Sequence, residues 1–159
     1  MAAVLALIVA TSRHGVDSAD IVTTDYTQEE GARATRRLLT SARPPTAITY
    51  DNDVMAVAGL GVAREMGIAV PEQLSIVAGD DSQLCVLVHP SLTSLSRDIT
   101  AYGANAARRL LRHLDGEAVT SFQDVTAHLI PQGSTAPAPD VDDGPRVARR
   151  PARKRATPG

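Results

Sequence analysis

The sequence predicts an α/β fold: a parallel sheet flanked by helices, followed by a disordered C-terminal tail. Three observations carry this. Short β-branched runs alternate with helical patterns, most connections between strands exceed twenty residues, and two runs, Thr46–Tyr50 and Leu74–Ala78, end in acidic clusters. Long crossovers join parallel rather than antiparallel neighbours. In open α/β sheets ligands bind outside the carboxyl ends of the strands, so Asp51-Asn52-Asp53 and Asp80-Asp81 mark an expected small-molecule site.

The elements follow in order. The opening run MAAVLALIVA has no basic residue before it and is shorter than the ~20 apolar residues of a membrane span. It reads as a short buried helix over residues 2–12, ending near His14-Gly15. Ile21–Thr24 is a strand. Thr27-Gln28-Glu29-Glu30 fits a capping box, Thr27 accepting from the Glu30 amide and Glu30 reaching back. That helix runs to about Thr40, and Pro44-Pro45 forbid its continuation. After strand Thr46–Tyr50 a second helix starts near Asp53, with Val54, Met55, Ala58, Val62 and Met66 as its apolar stripe and Gly67 as a left-handed terminator.

Strand Leu74–Ala78 follows Pro71. Gly79–Pro90 reads as a loop and Leu92–Ser96 as a strand. Asp98 caps a long helix with Ile99, Gly103, Ala106, Leu110 and Leu114 on one face, ended by Asp115-Gly116. Val125–Ile130 is a last extended stretch. The domain is expected to occupy residues 1–135, and residues 136–159, rich in Pro, Ala and Arg, to be disordered.

Composition narrows the function. The chain has 159 residues and 43% apolar content, enough for one domain that buries about two-thirds of its unfolded surface. One Phe, three Tyr and no Trp leave no visible aromatic platform for a sugar. The single cysteine, Cys85, excludes an internal disulfide, suits a reducing cytoplasm and reads as a packing thiol. From Asp140 the tail carries six basic and three acidic residues, while the rest carries ten and fifteen, a net of +3 against −5. The tail is therefore open to salt-sensitive attraction to phosphates, without sequence preference.

No metal site or cofactor is expected. His14, His113 and His128 lack Cys partners and helical His pairing, and His89 beside Pro90 reads as structural. A phosphoryl-transfer or hydrolase site built on Asp80 and Asp81 would need a nearby lysine or a defined Ser/Thr loop. Lys154, in the tail, is the one lysine, and no glycine-rich phosphate loop or G-x-S-x-G motif is present. The chain is not expected to be an enzyme.

Four segments, NDVMAVAGLGVAREMG, VPEQLSIVAGDDS, HPSLTSLSRDITAYG and IPQGSTAP, stand in an order and spacing that resembles the LacI/GalR family of transcription regulators, over about residues 18–136. The resemblance implies the second lobe of a periplasmic-binding-protein-like type I fold. No helix-turn-helix headpiece, hinge or most of a first lobe is recognisable, so the chain reads as a truncated sensor. The implied partners are a small-molecule effector, sugar- or nucleoside-like, a second copy in a homodimer, and operator DNA through a headpiece outside this chain. No membrane partner is expected. A solute-binding protein of the same fold is the alternative.

The family's ligand-binding asparagine and aspartate fall on Asn52 and Asp80, and a hinge-proximal polar position on Arg97. An amide and a carboxylate suit vicinal hydroxyls; Arg97 could instead meet an acidic group on the ligand. Each has a plainer reading: Asn52 or Asp53 as a helix cap, Asp81 as a loop residue, Arg97 as an exposed pre-helix side chain. Gly79 stands where the family often has an aromatic residue. Self-association is implied along Val54–Met66 and Cys85–Val88, with Val57, Cys85 and Val88 as interface residues. The helix Asp98–Leu114 would pack on the first lobe.

Overall fold

A computed structural model describes residues 3–5, 21–118 and 126–137. The elements are β1 (Ala3–Leu5), β2 (Val22–Thr24), α1 (Gln28–Leu39), β3 (Ala47–Tyr50), α2 (Asp53–Glu65), β4 (Ser75–Ala78), α3 (Gln83–Leu87), β5 (Thr93–Ser96), α4 (Ile99–Leu114) and β6 (His128–Ile130). Four strands form one sheet in the order β3-β4-β5-β6. The β3–β4 and β4–β5 pairs are parallel, with Tyr50 opposite Ala78 and Ala78 opposite Ser94. The last strand, β6, runs antiparallel to β5, so the sheet is mixed at one edge. A long connection permits either direction, and its length alone does not fix which.

The helix expected over residues 2–12 is corrected. Ala3–Leu5 is a strand, antiparallel to β2 in a separate two-stranded sheet. An uninterrupted apolar run has no periodicity to separate helix from strand, and β2 offers backbone groups that an extended neighbour satisfies. The rest of that expected helix lies outside the described residues. So do Val125 of the last stretch and residues 138–159 of the expected tail. Ala136, placed in the tail, is in contact with the fold: its N–H donates to Ser75 Oγ at 3.2 Å.

Capping chemistry sets the helix starts. Thr27 Oγ1 accepts from the Glu30 amide at 3.2 Å, as expected. The reciprocal half of the box is replaced: Asp25 Oδ1 takes the Thr27 amide at 3.0 Å, and Glu30 pairs with Arg33. Asp25 is two residues before the cap and reaches the amide first, which frees Glu30 for its i+3 neighbour. At the end of α2, Gly67 has φ +70°, Gly67 N–H donates to Arg64 O at 3.1 Å and Ile68 N–H to Ala63 O at 2.9 Å. That is a Schellman close, which satisfies two terminal carbonyls.

The core lies between the sheet and the α1–α2 pair. Ile48, Tyr50, Leu74, Ile76 and Ala78 from the sheet region meet Met55, Ala56, Leu60, Val62 and Ala63 of α2, with Ala34 and Leu39 of α1 beside them. The expected α2 stripe is rotated: Val54 is exposed and Ala58 only half-buried, while Ala56, Gly59, Leu60 and Ala63 are buried. This helix is apolar nearly all round, so its small residues at the α1 contact decide the facing rather than periodicity. The segment read as a loop, Gly79–Pro90, contains α3, whose N-cap Ser82 Oγ accepts the Leu84 amide at 3.1 Å. No residue of α4 is buried.

Past β6 the chain docks between β4 and β5. Ser134, fully buried, donates from Oγ to Ile76 O at 2.6 Å and accepts Thr93 N–H at 2.8 Å, while its own carbonyl accepts Ile76 N–H at 2.8 Å. Ser134 thus bridges the amino ends of these strands, where the ladder records pairing only from Val77 and Thr93 onward.

Candidate ligand-binding edge

The parallel register brings the carboxyl ends of β3, β4 and β5 to one edge of the sheet, and all three expected ligand residues stand just beyond those ends. Asn52 follows β3. Its Oδ1 accepts the Met55 amide at 2.8 Å, capping α2, and its Nδ2 donates to Tyr26 O at 3.2 Å. Both ends of the amide are thus engaged within the chain. The capping reading of Asn52 is therefore present in the structure, and Asp53 is instead the first helical residue.

Asp80 and Arg97 are brought together directly. Arg97 Nη2 lies 3.5 Å from Asp80 Oδ1 and 3.4 Å from Gly79 O, and each side chain is about half exposed. An exposed ion pair of this length contributes little and is easily exchanged for another partner. Asp81, next along, is also exposed, and its Oδ1 accepts from the hydroxyl of fully buried Ser94 at 2.8 Å. The Asp53 carboxylate takes the Val54 amide at 2.7 Å and the Ser82 hydroxyl.

Gly79 has a steric cause. A Cβ there would lie 2.6 Å from Tyr50 O and from the Asp51 carbonyl carbon, so neither alanine nor an aromatic residue fits without backbone movement. The close approach of the β3 and β4 ends, which sets the width of this edge, depends on that missing side chain.

Two features escaped the sequence reading. Tyr26 has φ +68°, is half exposed and hands its carbonyl to Asn52, so its backbone forms part of this edge. Its signal was a tyrosine in an aromatic-poor chain, one residue before a helix cap. Beside it, the Thr27 hydroxyl and amide hold the Asp25 carboxyl below its ordinary range. The other is the pair Ser82 and Ser94, whose roles depend on tertiary contacts that no local pattern records.

Of the expected interface residues, Val57 and Val88 are half-buried and pack on the core, and Cys85 is fully buried. Burial pushes the Cys85 thiol up, and the carboxylates of Asp53, Asp81 and Asp80 add to this. The exposed apolar groups on this side are Val54, Leu84, Val86 and Leu87. At the opposite, amino end of the sheet, a pocket is lined by Ala47, Pro71, Gln73, Ser75 and Thr135, away from the three expected ligand residues. Among the described residues no cluster of metal-ligating side chains occurs, and no helix is long and apolar enough to cross a membrane.

The architecture is that of an α/β ligand-binding lobe. Residues 5–135 match the periplasmic binding protein-like domain family. A LacI family transcriptional regulator from Bifidobacterium animalis subsp. lactis is 51% identical with a TM-score of 0.68, over 73% of this chain and 43% of that one. The HTH-type transcriptional repressor CytR of Escherichia coli is 36% identical over 125 residues, 78% of this chain and 37% of CytR. The lac repressor dimer, bound to operator and the anti-inducer ONPF, is 29% identical with a TM-score of 0.63, over 70% of this chain and 39% of that one. This chain therefore belongs to the periplasmic binding protein-like family, in its LacI/GalR regulator branch, and spans less than half the length of these relatives.

Proposed function

We propose that this chain supplies one wall of an effector-binding cleft in a cytoplasmic LacI/GalR-type transcriptional regulator. The observation that supports the reading best is the Asp80–Arg97 pair at the ends of adjacent parallel strands, half exposed and weakly held to each other. Asp80 accepts hydroxyl protons in this reading and Arg97 donates to hydroxyl or carbonyl oxygens. Asn52 contributes mainly by fixing α2 and the Tyr26 carbonyl, since both ends of its amide are already engaged. A neutral, hydroxyl-rich molecule, a sugar or nucleoside, matches this set.

Binding between two lobes would bias their closure and so shift the affinity of attached DNA-binding segments, a coupling set by differential affinity. Operator DNA is then a partner only through a headpiece outside these residues. Homodimerisation uses the face carrying Val54, Leu84, Val86 and Leu87, with Val57, Cys85 and Val88 supporting it from beneath.

Calorimetry of the chain against glucose, ribose, cellobiose, cytidine and adenosine tests the site. Weak binding is expected, because ligand pockets normally enclose most of their ligand and one wall does not. Micromolar binding that survives Asp80→Ala would overturn the assignment.

A further inference from the structure

We propose that Asp81 and Ser94 are positioning residues that hold the Asp80 loop in a single conformation, an inference that rests on the effector-site reading above. The two adjacent carboxylates are used differently. Ser94 sits on β5 opposite Ala78 with no solvent exposure, so its hydroxyl must find an acceptor inside the protein. That acceptor is Asp81 Oδ1, at 2.8 Å. The bond ties the residue after Asp80 to a strand other than the one that carries it, and leaves Asp80 at the strand-end edge.

The rest of the loop is tied down on its other sides. Gly79 O and Asp80 Oδ1 face Arg97 Nη2, and Asp80 O accepts from Cys85 Sγ at 3.4 Å. Ser82, the cap of α3, binds the Asp53 carboxylate at the start of α2. Of these contacts, the Asp81–Ser94 bond is the one that joins a carboxylate to a fully buried hydroxyl donor. A carboxylate held in place before a ligand arrives loses less freedom on binding than one on a mobile loop.

Hydrogen exchange of the full chain, read by mass spectrometry on peptides covering residues 79–85 and 47–50, tests this together with binding of the five-compound panel. Asp81→Ala and Ser94→Ala should each speed exchange of 79–85 about tenfold, the weight of one hydrogen bond to a charged acceptor, and leave 47–50 unchanged. Asp81→Asn, whose Oδ1 still accepts, should restore most of the protection. Any panel compound that binds the unmodified chain should bind Asp81→Ala about tenfold more weakly. Unchanged exchange in 79–85, or a rise shared equally by 47–50, overturns the positioning role. So does unchanged affinity in Asp81→Ala where Asp80→Ala abolishes binding. Faster exchange confined to 79–85, with a ligand indifferent to Asp80→Ala, instead retains the tether and removes the effector-site reading.

Discussion

The phenolic oxygen of Tyr50 lies 2.7 Å from Oγ1 of Thr35, and both side chains are fully buried. Thr35 Oγ1 also sits 2.7 Å from Gly31 O, a carbonyl that can only accept. The threonine's one proton is therefore spent on Gly31, and Tyr50 must be the donor to Thr35. This chain of two bonds joins β3 to α1 within the core, at the end of β3 that leads to Asn52.

A donor role makes Tyr50 intolerant of ionisation. Burial raises its pKa well above the ordinary 10.0, and the Thr35 bond only partly opposes this. Above pH 10 the unfolded chain releases this proton while the folded chain retains it, so stability falls as pH rises. The expected slope from this residue is about 1.4 kcal/mol per pH unit. Urea titrations between pH 8 and 11 check it. Tyr50→Phe should cost about 1 kcal/mol at pH 8 and show a shallower alkaline decline; parallel curves for the two proteins would contradict the assignment.

Ser134 is expected to matter out of proportion to its size. Its hydroxyl serves Ile76 O and Thr93 N–H together in a site with no solvent exposure. Ser134→Ala leaves the Thr93 amide without that acceptor, at a cost of about 1–3 kcal/mol. Ser134→Gly should cost at least as much, because it also loosens the backbone. Equilibrium denaturation measures both.

The edge geometry depends on Gly79. With Tyr50 O and the Asp51 carbonyl carbon 2.6 Å from the position of a Cβ, Gly79→Ala must push the β3 and β4 ends apart. A loss of about 1–3 kcal/mol is expected, as for overpacking elsewhere. The same change should disturb the Asp80–Arg97 contact, since Arg97 also reaches Gly79 O. A melting temperature unchanged by Gly79→Ala would show that the strand ends are not close-packed.

Legibility in the sequence tracked the range of the interaction. Thr27, Asp98 and Gly67 act within a few residues, and their roles could be read directly. Strand ends with acidic clusters placed Asn52, Asp80 and Arg97 at one edge of the sheet, because that rule needs only order along the chain. What failed needed tertiary knowledge. The facing of α2 follows from its contact with α1, the antiparallel setting of β6 from its partner, and the strand at Ala3–Leu5 from its pairing with β2. The different partners of Asp80 and Asp81 were equally hidden, since Arg97 and the buried Ser94 hydroxyl are brought to them by tertiary structure.

The exposed face of α4 gives the last prediction. Ile99, Tyr102, Leu110, Leu111 and Leu114 are each more than half exposed, on a helix with no buried residue. Contiguous exposed apolar surface of this kind favours association. The chain should therefore self-associate at high concentration, and light scattering should record a mass above 16.7 kDa. Because these side chains support nothing within the described fold, the triple substitution Ile99→Gln, Leu110→Gln, Leu114→Gln should reduce association. Its denaturation midpoint should correspond to a change within about 0.5 kcal/mol per site, as at other exposed positions. The α2–α3 face offers a contrast: Leu87→Gln would remove one of its most exposed apolar groups. If Leu87→Gln alone abolished association and the α4 triple variant did not, the α4 face would be a bystander and the α2–α3 surface would account for self-association by itself.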